Sequence, residues 1–307
     1  MKHLSLLVVS VVLAAAGAVA GCVGDSPTAA DGGAPSSTAT GTGTTPVPVP
    51  DASVKDTSAP DTSAPDTSVP DAPVAFNPKS VPGLALWLDP TAGITETAGK
   101  VSAWADTSSA ITVVQATPAN QPTKGAVGSK PVLVFSDSTW LAAASVGTRL
   151  DFGAGDLTVV VVCTTEPTAT TALTGVLYKV PDVATPPYDG LQVYANLGGG
   201  GKPGAGLAGE GLILSAGVGS VSDGKLHLLA LRRVGTRLAF RLDGAEVASL
   251  TAAARSVDSA GPLQVGGRAA LTHNAPNKLA DVLIYKGTVS DADFTSLEAF
   301  VKTKNGL

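Results

Sequence analysis

From Phe76 onward, apolar runs of strand length follow one another at close spacing, each ended by Gly, Pro, Asp or Asn. This punctuation restricts the chain to an all-β fold, because almost no helical periodicity lies between the runs. Strand signals fall near Leu84–Leu88, Val101–Trp104, Ile111–Gln115, Pro131–Phe135, Leu157–Cys163, Gly175–Val180 and Leu191–Ala195. Others fall near Gly211–Ala216, Lys225–Arg232, Thr236–Leu242, Glu246–Leu250, Leu263–Val265 and Leu279–Tyr285. Roughly 230 residues suit one sandwich domain. Asp243-Gly244 stands between two strand signals, where left-handed backbone makes a tight hairpin. Leu238, Phe240 and Leu242 alternate with Ala239 and Arg241, so one face of that strand points inward.

One helix is expected, at the C-terminal end. Ser290 caps it, Asp293 sits at its third position near the positive dipole end, and Gly306 ends it. Phe294, Leu297, Phe300 and Val301 form one apolar stripe, expected to dock the helix on the sandwich.

The first 75 residues have a different texture. Lys2 and His3 precede an apolar core from Leu4 to Ala20, closed by Val19-Ala20-Gly21-Cys22. A basic start, an apolar core and small residues make a secretory signal. The closing run resembles the lipobox of bacterial lipoproteins. The resemblance implies cleavage after Gly21 and diacylation of the Cys22 thiol, with acyl chains holding the protein on a membrane at about 0.8 kcal/mol per buried methylene. An uncleaved span is the alternative, but about 17 apolar residues is at the short limit for crossing a bilayer. Residues 22–75 are almost entirely Ser, Thr, Ala, Gly, Pro and Asp, with a tandem repeat that begins Asp56-Thr-Ser-Ala-Pro60 and Asp61-Thr-Ser-Ala-Pro65. Such a segment buries too little apolar surface to offset its ordering entropy, so a disordered spacer is expected. Fully extended, it spans roughly 150 Å. The expected organisation is a signal peptide at 1–21, a lipidated linker at 22–75 and one globular domain at 76–307.

Charge follows the same division. The chain has 20 Lys and Arg and 25 Asp and Glu. Lys2, Lys55 and seven aspartates precede Phe76, which leaves 18 of each sign in the globular part. A neutral domain lacks the electrostatic footprint of a nucleic-acid partner. Its densest basic group, Arg232, Arg233, Arg237 and Arg241, lies on strand signals and is expected to line a solvated face. With Cys22 lipidated, Cys163 is left alone in an apolar run, so the mature chain forms no internal disulfide and the thiol is read as core.

The globular part resembles the laminin-G-like, concanavalin A-like jelly-roll domains of bacterial surface proteins. The resemblance rests on Val81-Pro-Gly-Leu-Ala-Leu-Trp-Leu-Asp89, Gly99-Lys-Val-Ser-Ala-Trp-Ala-Asp106, Gln121-Pro122 and Pro131-Val-Leu-Val-Phe135. Toward the end it rests on Asp223-Gly-Lys-Leu-His227, Asp243-Gly244, Leu263-Gln-Val-Gly-Gly267 and Leu279-Ala-Asp-Val-Leu-Ile-Tyr285. It implies a jelly-roll sandwich of two antiparallel sheets with a short C-terminal helix. It also implies binding of carbohydrate or protein, in some members through calcium. The Glu-x-Asp-x-x-Glu strand motif of glucanases on this fold is absent from the sequence, which counts against a hydrolase.

Candidate ligand residues lie in two polar loops: Tyr188, Asp189, Tyr194 and Asn196 in one, His273 and Asn274 in the other. Calcium takes oxygen ligands, and the loop acids Asp106, Asp137, Asp151 and Asp156 are the candidates, although single loop aspartates are commonly turn formers. Trp87 and Trp104 read as core, and Trp140 as tucked against the sandwich after a loop. Gly198-Gly-Gly-Gly-Lys202 is followed by Pro203, which breaks the phosphate-loop pattern. The reading is a lipid-anchored, extracytoplasmic envelope protein without enzymatic activity, presenting a binding or adhesion module. Val23 after the lipid site favours the outer membrane of a Gram-negative cell. Polysaccharide is the first expected partner and a surface protein the second. The alternatives are a carbohydrate-active hydrolase, which needs two carboxylates about 5–10 Å apart, and a structural or protein-binding envelope protein.

Overall fold

A computed structural model describes residues 75–166, 173–181, 189–197, 200–207, 212–217, 219–270 and 275–307. The chain divides into two units, 1–68 and 69–307, and every described residue lies in the second. Cys22, Gly21 and the linker lie outside the described residues, as do Tyr188, His273 and Asn274.

The domain is the expected jelly-roll sandwich of two antiparallel sheets with a C-terminal helix. One sheet runs β15 (Ala245–Thr251), β14 (Arg237–Leu242), β13 (His227–Val234), β8 (Leu157–Thr165), β17 (Asn277–Lys286), β6 (Lys130–Phe135) and β5 (Thr123–Val127). β1 (Leu84–Leu88) also pairs with β17. The other sheet runs β12 (Leu212–Ser215), β11 (Gly204–Leu207), β10 (Leu191–Asn196), β9 (Thr174–Lys179), β16 (Leu263–Val265), β7 (Leu141–Ala143), β4 (Thr112–Val114), β3 (Lys100–Ala105) and β2 (Ile94–Thr97). Four of these, β2, β5, β7 and β11, carry no strand signal of their own. They read Ile-Thr-Glu-Thr, Thr-Lys-Gly-Ala-Val, Leu-Ala-Ala and Gly-Ala-Gly-Leu, too short or too poor in large apolar residues to stand out.

β8 is buried at every position, and β17 at nearly every one. Their alternate residues therefore serve two cores. Leu157, Val159, Val161, Cys163, Leu279, Val282 and Ile284 face the second sheet, where Trp104, Leu141, Leu177, Val193 and Val265 meet them. Cys163 is fully buried there, a core thiol as expected, and burial pushes its pKa well above the ordinary value. Val160, Val162, Leu283 and Tyr285 point the other way, against Phe294, Leu297 and Val301 of α1 (Asp291–Asn305). Each large side chain buried in this way contributes roughly 1.5–3 kcal/mol. The helix starts where expected: Asp293 N donates to the Ser290 hydroxyl at 3.0 Å, and Gly306, at φ 71°, closes it in the left-handed region.

Helix cover changes the expected role of two arginines. Arg232 and Arg241 do not line a solvated face. Their guanidinium groups lie 4.3 and 5.5 Å from the Phe294 ring centre, on either strand beneath α1. They reach Asp291 at 2.9 Å and Glu298 at 2.9 Å. Arg233 is also buried, whereas Arg237 stays exposed beside Glu246. The helix stripe supplies the reason, since it can bury Phe294 only by lying across β13 and β14.

The helix end is fastened by a polar cluster. A bulge in β17 between Leu279 and Val282 places Asp281 there, 1% exposed. Asp281 accepts from Trp87 Nε1 at 3.0 Å, Lys304 Nζ at 2.6 Å and Asn305 Nδ2 at 2.8 Å. Lys304 also pairs with Asp89 at 2.9 Å. Phe300 packs between Phe76 and Trp87, with ring centres 5.9 and 6.1 Å away. Removing one member of a buried charged cluster strands the others. Asp281→Ala should therefore lower the unfolding free energy by about 3–5 kcal/mol in urea titration. A loss below about 1 kcal/mol would show the cluster to be incidental.

Candidate functional site

The second sheet presents one face to the core and one outward. Leu263 and Val265 face in, so Gln264 faces out; the same alternation turns Gln192, Tyr194 and Asn196 outward from β10. Strand register assembles these residues into one lateral row. Gly206 pairs with Gln192, Gln192 with Tyr178, Tyr178 with Gln264, and Gln264 with Ala142. The row continues through Val114 and Ala103 to Thr95.

One half of the row is closed and polar. Tyr178 and Tyr194 meet edge to face at 5.8 Å, and the Tyr194 hydroxyl bonds Gln192. The Arg268 guanidinium lies 5.4 Å from the Tyr178 ring centre and donates to the Pro181 carbonyl at 2.8 Å. Gln264 Oε1 accepts from Ala269 N at 2.9 Å, and its buried Nε2 has no partner among the described residues. The other half is open and small. Ala142 and Ala103 are half-buried, and Val114, Thr112 and Thr95 are exposed.

Trp140 stands at the open half. It immediately precedes Leu141, which is fully buried in the core, and lies two residues from outward-facing Ala142. The ring is half-buried and belongs to none of the apolar clusters. Its indole N–H makes no hydrogen bond among the described residues. Tucking against the sandwich, the expectation from sequence, is only half met. Trp104 and Trp87 do serve the core, with indole N–H groups spent on the Asp89 carbonyl at 2.9 Å and on Asp281. Gln264, Arg268 and Trp140 carried no local signal; only strand register makes them neighbours.

The other sequence candidates separate. Tyr194 and Asn196 lie on this face, both buried. Asp189 is exposed just before Gly190, whose added Cβ would collide with the Lys179 carbonyl. The four aspartates considered for calcium stand apart, and no group of three or more His, Cys, Asp or Glu is gathered among the described residues. Asp106 binds its own loop, accepting from Trp87 N, Ser108 N and Ser108 Oγ at 2.8 Å each, and from the Ser109 hydroxyl. Asp137 is exposed in a turn closed by Thr139 N on the Ser136 carbonyl at 3.2 Å. Asp156 ties two turns, accepting from Gly235 N at 2.7 Å and Thr288 Oγ1 at 2.6 Å. The Thr288 bond leads the effects that hold its carboxyl below the usual range. Asp151 lines a rim cavity of about 170 Å³ together with Lys179, Ser145, Ser259 and Gly261.

One acid–imidazole group lies elsewhere. His227 Nδ1 meets Asp243 at 2.8 Å and Nε2 meets Asp223 at 2.9 Å. The Asp243 bond, reinforced by Asp223, raises the imidazole pKa over the opposing effect of burial. Both ring nitrogens are engaged with carboxylates, so neither faces a nucleophile that it could activate.

No family model and no curated protein matches the chain. Solved structures do. The binding domain of Paraclostridial Mosquitocidal Protein 1 is similar at a TM-score of 0.53 and 10% identity, over 73% of this chain and 53% of that one. An arabinofuranosidase complexed with arabinofuranosyl-α-1,2-xylobiose is similar at 0.53 and 12% identity, over 67% and 51%. A GH54 α-L-arabinofuranosidase soaked with a cyclic sulfate inhibitor gives 0.52 and 11%, over 67% and 51%. The chain spans about half the length of these proteins. At such identities the likeness shows a shared β-sandwich fold.

Of the 3 tryptophans, Trp140 alone should react with N-bromosuccinimide in the native protein. Absorbance loss at the indole band should match one residue and vanish in Trp140→Phe. Reaction of Trp87 or Trp104 at a similar rate would mean the face is not as described.

Proposed function

We propose that this chain is an extracytoplasmic, membrane-tethered protein of the cell envelope whose sandwich holds carbohydrate without cleaving it. The observation that carries the reading is Trp140 on the open half of the outward sheet face, with an indole N–H that makes no hydrogen bond among the described residues. Sugars offer apolar C–H faces and a rim of hydroxyls. An accessible aromatic ring takes the former, and exposed polar side chains such as Thr95 and Thr112 are available to the latter. Ala142, Val114 and Ala103 leave a shallow floor between them, as a small set of polar groups on an otherwise apolar surface requires. Tyr178, Gln192 and Arg268 back this surface from the closed half.

The tether is supported by the N-terminal run ending at Cys22 and by the Pro- and Asp-rich segment after it. The acyl chains on Cys22 are the membrane partner, and the outer membrane of a Gram-negative cell is the proposed location. The non-catalytic reading is supported by His227, whose two ring nitrogens are both taken up by carboxylates, and by the missing glucanase motif. The bound sugar seen with one structural relative makes arabinose-substituted xylo-oligosaccharides the first probes.

Two measurements test this. Cys22→Ser should move the protein from the membrane fraction to the soluble fraction and abolish labelling with a clickable palmitate. Unchanged fractionation would remove the tether from the reading. The soluble Cys22→Ser chain should retain oligosaccharides on a glycan array that includes those probes. Adding Trp140→Ala should weaken retention by roughly 30-fold, the effect of about 2 kcal/mol at an aromatic hot spot, with no change in melting temperature. Retention of no glycan, or equal retention by the Trp140→Ala chain, would defeat the carbohydrate reading.

A further inference from the structure

The outer side of α1 carries a groove of about 480 Å³ at the point where the chain enters the domain. Phe76 and Phe300 supply its rings, and both are partly buried. Ser296, Ala299 and Thr303 supply small side chains at helical spacing, all exposed. Lys304 also lines it, but its ammonium is already held by Asp281 at 2.6 Å and Asp89 at 2.9 Å. The groove therefore offers ring faces and methyl groups, with no uncommitted charge.

Ala75 borders the groove too, and the chain before it reads Val69-Pro-Asp-Ala-Pro-Val74. Those residues lie outside the described ones, yet within the same compact unit, which begins at Val69. Their sequence departs from the repeat upstream. The copies that start at Asp56 and Asp61 both read Asp-Thr-Ser-Ala-Pro. In the next copy Val69 replaces the alanine, and after Asp71 the run Ala72-Pro73-Val74 replaces Thr-Ser-Ala. Hydroxyls are lost and apolar groups gained where the chain reaches the groove. Pro70 and Pro73 lack a backbone N–H, so covering them leaves fewer donors to satisfy. Extended proline-rich chain is the form that aromatic-lined grooves accept. Ala72 to Val74 reach about 9 Å in that form, against roughly 10 Å from Ser296 to Thr303 along the helix.

We infer that Val69–Val74 is a strap that docks in this groove, with Pro73 and Val74 seated against Phe76, Phe300 and Ala299. The free spacer then ends at Ser68, and the strap shields the contact between Phe76 and Phe300 from water.

Thiol labelling of the soluble Cys22→Ser chain tests this, since Cys163 is buried and slow to react. Ala299→Cys places a thiol in the groove, and Thr295→Cys places one on α1 outside it. Replacing residues 69–74 by a Gly-Ser run of equal length should speed maleimide labelling of Ala299→Cys roughly tenfold and leave Thr295→Cys unchanged. An unchanged rate at Ala299→Cys overturns the inference, and if that rate rises on dilution the occupant is a second copy of the chain. An equal acceleration at Thr295→Cys also overturns it, because the whole helix would then have loosened. If Ala299→Cys does not fold, Ser296→Cys is judged by the same criteria.

Discussion

The pairing of β8 with β17 is the constraint from which the architecture follows. Both strands are apolar on both faces, so neither side of their sheet can be left in water. The second sheet covers one side, through Val161, Cys163 and Val282. The C-terminal helix covers the other, through Phe294, Leu297 and Val301. Three layers result, and two of their outer surfaces are free to differ. The helix layer is consumed by structural work, since Asp281, Lys304, Trp87 and Arg241 all fasten α1 in place. On the outer face of the second sheet the polar residues of one half are buried and bonded to one another, and exposed side chains gather toward Val114 and Thr95.

Much of this was legible in the sequence because burial on a strand leaves a period-two trace or a continuous apolar run. β8, β13, β14 and β17 announced themselves in that way, and the Ser290 and Gly306 caps bounded the helix. The short strands did not. β11 and β7 are built from Gly, Ala and Leu, and they exist because neighbours already in the sheet offer them unpaired backbone groups. Arg232 and Arg241 misled for a related reason: alternation shows that a face is polar, but not whether a helix lies over it.

The candidate site was harder still to read. Gln264, Ala142 and Val114 are far apart in sequence and become adjacent only through antiparallel register. Trp140 looked like the end of a loop, because its outward direction depends on Leu141 entering the core. The loop aspartates illustrate the converse. Asp106 and Asp156 have the residue type that calcium uses, but their oxygens are already committed to backbone amides and hydroxyls. Residue type alone does not show which of a carboxylate's oxygens its own turn already uses.

The place at which the chain enters the domain has a directional consequence. Phe76 lies against Phe300, on the far side of the first sheet from the second. Stacked layers are spaced by roughly 10 Å each, so about 20 Å of protein separates that entry from Trp140. The Phe76 entry and the Trp140 face therefore lie on opposite outer surfaces of the domain, and a change at one leaves the packing of the other untouched.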